Sequence, residues 1–176
     1  MSQREASRVA DIDWSSWKPQ ERATLCFVIH EGRMLLIRKK RGLGAGKIVG
    51  PGGRLEPGET PRECAIREVQ EELCVTPTGI VARGEHRFHF LDGYTIHVFA
   101  FTADGYEGEP SETDEAKPVW APLDRLPYHE MWEDNPLWLP LMIQGIPFSG
   151  RYVFDGDRML DHKIERAFSD PDSSAG

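Results

Sequence analysis

Glu68, Glu71 and Glu72 are the residues best placed to do chemistry, because they stand three and four positions apart. At about 3.6 residues per turn, such offsets share one face of a helix. Like charges so spaced repel by roughly a few tenths of a kcal/mol per pair on an isolated helix, so a purely structural helix gains nothing from them. A bound cation would reverse the sign. Carboxylate oxygens are hard donors that select Mg²⁺ or Mn²⁺ rather than zinc, and Mg²⁺ commonly keeps waters and completes its shell with substrate phosphates. The implied substrate therefore carries a diphosphate. The competing reading is a solvated acidic face, the usual meaning of a charge run on a helix. The helix cap and the glycine-rich loop beside the glutamates favour a site.

Elements that position these carboxylates are legible on both sides. Thr60, Pro61 and Glu63 form a start signal, a hydroxyl cap with proline at the first position and a Glu reaching back, so the helix begins near Pro61. Ala65, Val69 and Leu73, four apart, make its apolar stripe, which packs on a sheet while the glutamates face a cleft. Before it, Gly42, Gly44, Gly46, Gly50, Gly52 and Gly53 mark a loop whose backbone approaches a ligand closely. Residues 23–30 and 34–37 read as a strand hairpin turning at Glu31 and Gly32. Residues 80–90 and 94–101 have strand composition, and an acidic loop at 107–115 leads to Val119 and Trp120. A second helix is expected at 136–143 and a late strand at 148–154, turned by Gly156. Strands flanked by two separated helices predict an α/β fold.

At 176 residues and 39% hydrophobic, the chain fits one compact domain. We expect a domain at 23–166, an N-terminal extension at 1–22 and a disordered Ser/Asp-rich tail at 167–176. The extension is polar apart from Ile12, Trp14 and Trp17, whose indoles are expected to pack on the domain. A net charge of −8 argues against polymeric nucleic acid as the main partner, but a small anionic substrate bridged by metal remains compatible. Cys26, Cys64 and Cys74 have no CxxC spacing and read as reduced, mainly buried thiols. No apolar leader or membrane-length stretch is seen, so the cytoplasm is the default location. His86, His89 and His97 lie in strand-like segments without ligand spacing, and His86 and His89 are expected to point to opposite faces. Trp120, Trp132 and Trp138 fit core roles on residue type alone. The basic run 38–41 reads as a solvated strand end.

Residues 53–75 resemble the Nudix box, Gly-x5-Glu-x7-Arg-Glu-U-x-Glu-Glu-x-Gly-U with U a bulky aliphatic. Gly53, Glu59, Arg67, Glu68, Val69, Glu71, Glu72 and Val75 match, and Cys74 stands where the pattern has its second glycine. The resemblance implies the Nudix fold, a mixed β-sheet sandwiched between α-helices. From residue 23 to 161 the chain is also similar to enzymes that hydrolyse oxidised purine nucleoside triphosphates, through 39–46, 50–53, 112–115, 131–135, 138–141 and 154–161.

That likeness implies Mg²⁺ bound by Glu68, Glu71, Glu72 and Glu115, with Mn²⁺ as an alternative, and Lys39 on phosphate. It also implies Trp132 stacked on the purine, with Asp134 and Asn135 at the base edge. Glu71, Glu72 and Glu115 are the catalytic candidates; the base is Glu72 or its rival Glu115. Arg67 holds loop and helix in register. Val49 stands where that group has a base-reading asparagine, so Val49 and Asn135 keep open other nucleoside diphosphate derivatives, such as a dinucleoside polyphosphate or methylated guanine nucleotide. A non-catalytic nucleotide-binding module would have lost metal carboxylates, and here all are present. Protein partners are not readable from the chain.

Overall fold

The computed structural model describes residues 6–171. Two central strands explain most of the architecture. β1 (Glu21–His30) and β2 (Arg33–Lys39) pair antiparallel, and both are apolar on both faces. Phe27, Met34 and Leu36 point to one side, Cys26, Val28, Leu35 and Ile37 to the other, so each strand reads as a nearly continuous apolar run. Short strands β3 (Ile48–Val49) and β4 (Gly52–Arg54) lie inside the expected glycine loop. Helix α1 (Pro61–Leu73) follows, then β6 (Val81–Phe90) and β7 (Thr95–Ala103), with β5 (Thr76–Thr78) and β8 (Gly105–Glu107) forming a separate ribbon. After β9 (Ala116–Pro122) come α2 (Asn135–Ile143), β10 (Phe148–Asp155) and β11 (Arg158–Glu165).

Among the described residues the large sheet has nine strands, ordered β11-β10-β6-β7-β1-β2-β3, with β4 also paired to β1 and β9 to β2. β1 and β7 run parallel, as do β6 and β10, and the other pairings are antiparallel, so the sheet is mixed. One core lies under α1, where Ala65, Val69 and Leu73 are fully buried as their spacing predicts. The other lies under α2 and includes Trp138, Leu139, Met142, Phe148 and Tyr152. The sheet is thus sandwiched between helices, as the fold expectation had it.

Two features went beyond the expected elements, and the N-terminal indoles pack on the domain as expected. β11 has an alternating half-exposed, largely charged pattern that carries little apolar signal. The β5–β8 ribbon is three residues a side and includes Pro77 and Gly105. The N-terminal segment is built into the fold: Val9 is buried with its N–H on Asp161 at 2.8 Å, and Trp14 packs 5.3 Å from Trp17, whose indole N–H donates to His89. The tail expected at 167–176 is described only to residue 171, with Phe168 packed on the α1-side core. Residues 172–176, and 1–5 at the other end, lie outside the described residues. No helix is long and apolar enough to cross a membrane.

Candidate active site

The loop before α1 is locked to the helix by Arg67. Its Nε donates to Glu59 Oε2 at 2.7 Å and one terminal nitrogen to Glu59 Oε1 at 2.9 Å, a bidentate fork. The same guanidinium reaches the Arg54 carbonyl at 3.0 Å, Glu68 at 2.8 Å and Glu71 at 3.2 Å. Hydrogen bonding from Arg67 holds the Glu59 carboxyl down at about 2. The cap at Thr60 closes the helix start reciprocally, with Glu63 N–H on the Thr60 hydroxyl and Thr60 N–H on the Glu63 carboxylate, each 3.2 Å.

Two glycines are dictated by close approach. A Cβ on Gly52 would sit 1.9 Å from the Thr24 carbonyl, and one on Gly53 would sit 2.4 Å from the Glu68 carboxyl carbon. The space a side chain would fill is therefore occupied by Glu68 itself. Glu72 is 4% exposed, and its Oε1 accepts the Gly52 N–H at 2.8 Å. Burial pushes its pKa up to about 8, with Glu68 and Glu115 adding repulsion against the Gly52 bond and the Lys39 charge. Burial likewise raises Glu68 and lowers Lys39.

The acidic loop arrives by its own contacts. The Thr113 hydroxyl donates to the Glu72 carbonyl at 2.8 Å, and Lys40 and Arg41 reach from the end of β2 to Glu112 at 2.8 Å and Glu115 at 3.0 Å. Lys39, Glu68, Glu72 and Glu115 thereby line one end of a cavity of about 370 Å³. Glu71, in contrast, keeps half its side chain exposed in an ion pair with Arg67 and is not among the cavity-lining residues.

The opposite end is aromatic. Phe88, Phe90, Tyr94 and Phe154 line it together with Trp132, Asp134 and Asn135, while Val49 lines the same cavity and packs against the α1-side core. Trp132 stands edge-on to Phe154 at 5.7 Å between ring centres, and the Lys47 ammonium lies 5.1 Å over its ring. Gly44, with φ +81°, passes so close that an added Cβ would be 2.9 Å from the indole nitrogen. Asp134 and Asn135 are 2% and 7% exposed, and burial pushes Asp134 up to about 6.

All of the expected site residues except Glu71 therefore line one cavity. Arg41 and Leu43 also line this cavity and were not among the expected site residues. Arg41 belonged to a basic run read as a strand end, and the 49% exposure of Leu43, unusual for its size, has no signature in sequence.

The donor set fits a hard divalent cation. Every candidate donor is a carboxylate oxygen, and burial, with Glu68 and Glu115 beside it, makes a negative charge on Glu72 costly. Among the described residues no three acidic, His or Cys side chains are already closed into a coordination sphere. Arg67 engages Glu68 and Glu71 instead.

A carboxylate-bearing helix behind a glycine strand, set in a mixed sheet between two helices, defines a class that comparison identifies. Residues 19–142 match the model described as the NUDIX domain, and the chain belongs to the Nudix family. It is 43% identical over 144 residues to the "Oxidized purine nucleoside triphosphate hydrolase" of Danio rerio, covering 81% of this chain and 92% of that protein. The protein of the same name from Mus musculus is 36% identical over 148 residues, covering 83% and 95%. Among solved structures, the mutator MutT protein from Bacillus halodurans superposes with a TM-score of 0.72 at 26% identity, covering 82% of this chain and 97% of that one.

Proposed function

We propose that this protein hydrolyses oxidised purine nucleoside and deoxynucleoside triphosphates, of the 8-oxo-dGTP and 2-hydroxy-dATP type, to monophosphate and pyrophosphate, and so sanitises the nucleotide pool. The observation that carries this reading is one cavity with a carboxylate-and-lysine end and an aromatic end closed by two buried polar side chains. The names of the Danio rerio and Mus musculus relatives support it. Nudix hydrolases generally use a divalent cation, usually Mg²⁺.

Here Glu68, Glu72 and Glu115 would hold Mg²⁺ or Mn²⁺, with Glu71 joining once released from Arg67. The bound cation would neutralise phosphate oxygens and lower the pKa of a water. Lys39 adds positive charge beside the phosphates, and its own burial makes that charge more effective than in water. Glu72 is the proposed base that takes the proton from the attacking water, with Glu115 its rival. Trp132 stacks on the purine, Asp134 and Asn135 meet its edge, and the aromatic walls exclude water. The cytoplasm is the proposed setting, since three free cysteines suit a reducing compartment.

Val49 favours a second reading. A pocket that hydrogen-bonds a base discriminates strongly, whereas an apolar wall discriminates weakly, so a dinucleoside polyphosphate or methylated guanine nucleotide is the alternative substrate class. The test is Mg²⁺-dependent kcat/KM across 8-oxo-dGTP, 2-hydroxy-dATP, their undamaged parents, methylated guanine nucleotides and dinucleoside polyphosphates. A strong preference for the oxidised purines sustains the first reading. A peak on another member transfers the assignment to the second.

A further inference from the structure

Asp134 is the buried carboxyl at the aromatic end, and its Oδ2 accepts the Trp138 indole N–H at 2.8 Å. An indole nitrogen only donates. Oδ2 is therefore committed as an acceptor, and any proton on this carboxyl must sit on Oδ1. Trp138 cannot swing away, because it is 1% exposed and packed 4.3 Å from the His86 ring, 5.5 Å from Phe148 and 5.7 Å from Phe27. The titratable groups facing this pair are few. Glu133 is adjacent in the chain and pushes Asp134 up; Tyr152 on β10 keeps its proton; and His86 on β6, held at about 3 by burial, is neutral with its Nδ1 on the Tyr152 hydroxyl at 2.9 Å. What opposes burial at Asp134 is the Trp138 N–H together with Asp134's own backbone N–H.

We propose that Trp138 is a positioning residue that sets the polarity of the base end: by holding Oδ2 it leaves Oδ1 as the acceptor offered to the ligand, so the cavity selects a nucleobase edge carrying N–H donors over one carrying acceptors. This rests on the reading of the cavity as a nucleotide site. Residue types alone read Trp138 as core, and it is core; the hydrogen bond gives it a second role.

Two variants test the proposal in the full chain. In Trp138→Phe the packing is largely kept and the donor lost, so the Asp134 carboxyl ¹³C titration should move up by about one unit or more. kcat/KM at neutral pH should fall at least about tenfold through KM with kcat nearly unchanged, as for one lost hydrogen bond to a charged group. Asp134→Asn is the sharper test. Trp138 then holds the amide oxygen, the NH₂ faces the ligand, and the preference between donor-edged and acceptor-edged bases should invert. In the double variant Asp134→Asn, Trp138→Phe the amide can flip and the inversion should vanish. An Asp134 titration unmoved by Trp138→Phe, or a wild-type base preference retained by Asp134→Asn, overturns the proposal. If the wild-type protein hydrolyses no nucleotide, the functional reading fails by itself and the carboxyl titration alone decides the role of Trp138.

Discussion

The two ends of the cavity are built in opposite ways. The carboxylate end comes mainly from one contiguous stretch, Gly52 to Glu72, in which Arg67 and the Thr60 cap tie loop to helix at fixed spacing. The aromatic end is assembled from β6, the turn into β7, β10, Trp132 and the start of α2, segments far apart in sequence that meet only in the folded sheet. The first end concentrates like charge that burial makes unfavourable until something positive arrives. The second is apolar, with Asp134 and Asn135 as its buried polar groups. On the proposed reading, reaction type is thus written locally and specificity globally, so one can change without the other.

The harshest way to break that separation is at Glu72. Glu72→Gln keeps the shape but removes the charge, and kcat should fall at least about a hundredfold for every substrate alike. Substrate-dependent losses would mean the two ends are not independent. The complementary change is Val49→Asn, which adds an amide to the cavity wall. It should alter kcat/KM ratios between bases by about tenfold to a hundredfold, the equivalent of a 1–3 kcal/mol hydrogen bond, and leave kcat within about twofold. A uniform change across the substrate panel would contradict a base-facing position for Val49.

This contrast also explains what was legible. The helix start, its apolar stripe and the four-residue carboxylate spacing follow from local physics, and Pro61–Leu73 folds as that physics requires. Glu68 and Glu72 reach the cavity, but Glu71 is turned to Arg67, because a guanidinium at i−4 competes for it. Helical spacing cannot rank such a competitor. Asp134 and Asn135 were found through resemblance, and no local signal marks them. The bond from Trp138 to Asp134 needed coordinates, since residue type alone reads a tryptophan as core. β11 escaped because its exposed face is charged and its pairing to β10 has a register shift near Val153.

A gentler probe compares the ends without chemistry. Glu72 has a folded pKa raised to about 8, so its protonated form is the one the fold prefers. Its stabilising contribution is complete below the ordinary carboxylate range and is lost as pH climbs through about 8. Metal-free protein should therefore lose thermal stability from roughly pH 5 to 8, and Mg²⁺ should raise Tm more at pH 8 than at pH 5. Scanning Tm with EDTA and with Mg²⁺ at both values checks this. An equal Mg²⁺ effect at both would place cation binding away from Glu72.

The smallest expected effect sits at the end of α1, where Cys74 replaces the family glycine. Its φ of 63° and ψ of 24° are left-handed, a conformation that costs a side-chain-bearing residue roughly 1–2 kcal/mol and glycine nearly nothing. The cap bond from Cys74 N–H to the Gln70 carbonyl at 3.0 Å uses backbone atoms, so glycine would keep it. Against this, glycine loosens the unfolded chain by about 0.4–1 kcal/mol. Cys74→Gly should therefore stabilise the protein by about 0.5–1 kcal/mol, a Tm rise of about 1–4 °C for a chain of this size. Because Cys74 is exposed and is not among the cavity-lining residues, kcat/KM should not change for any base. A variant no more stable than wild type would mean that contacts of the Cys74 side chain offset the backbone strain. A shift in base preference would show that the helix C-terminus communicates with the aromatic end, and the two ends could no longer be treated as separable.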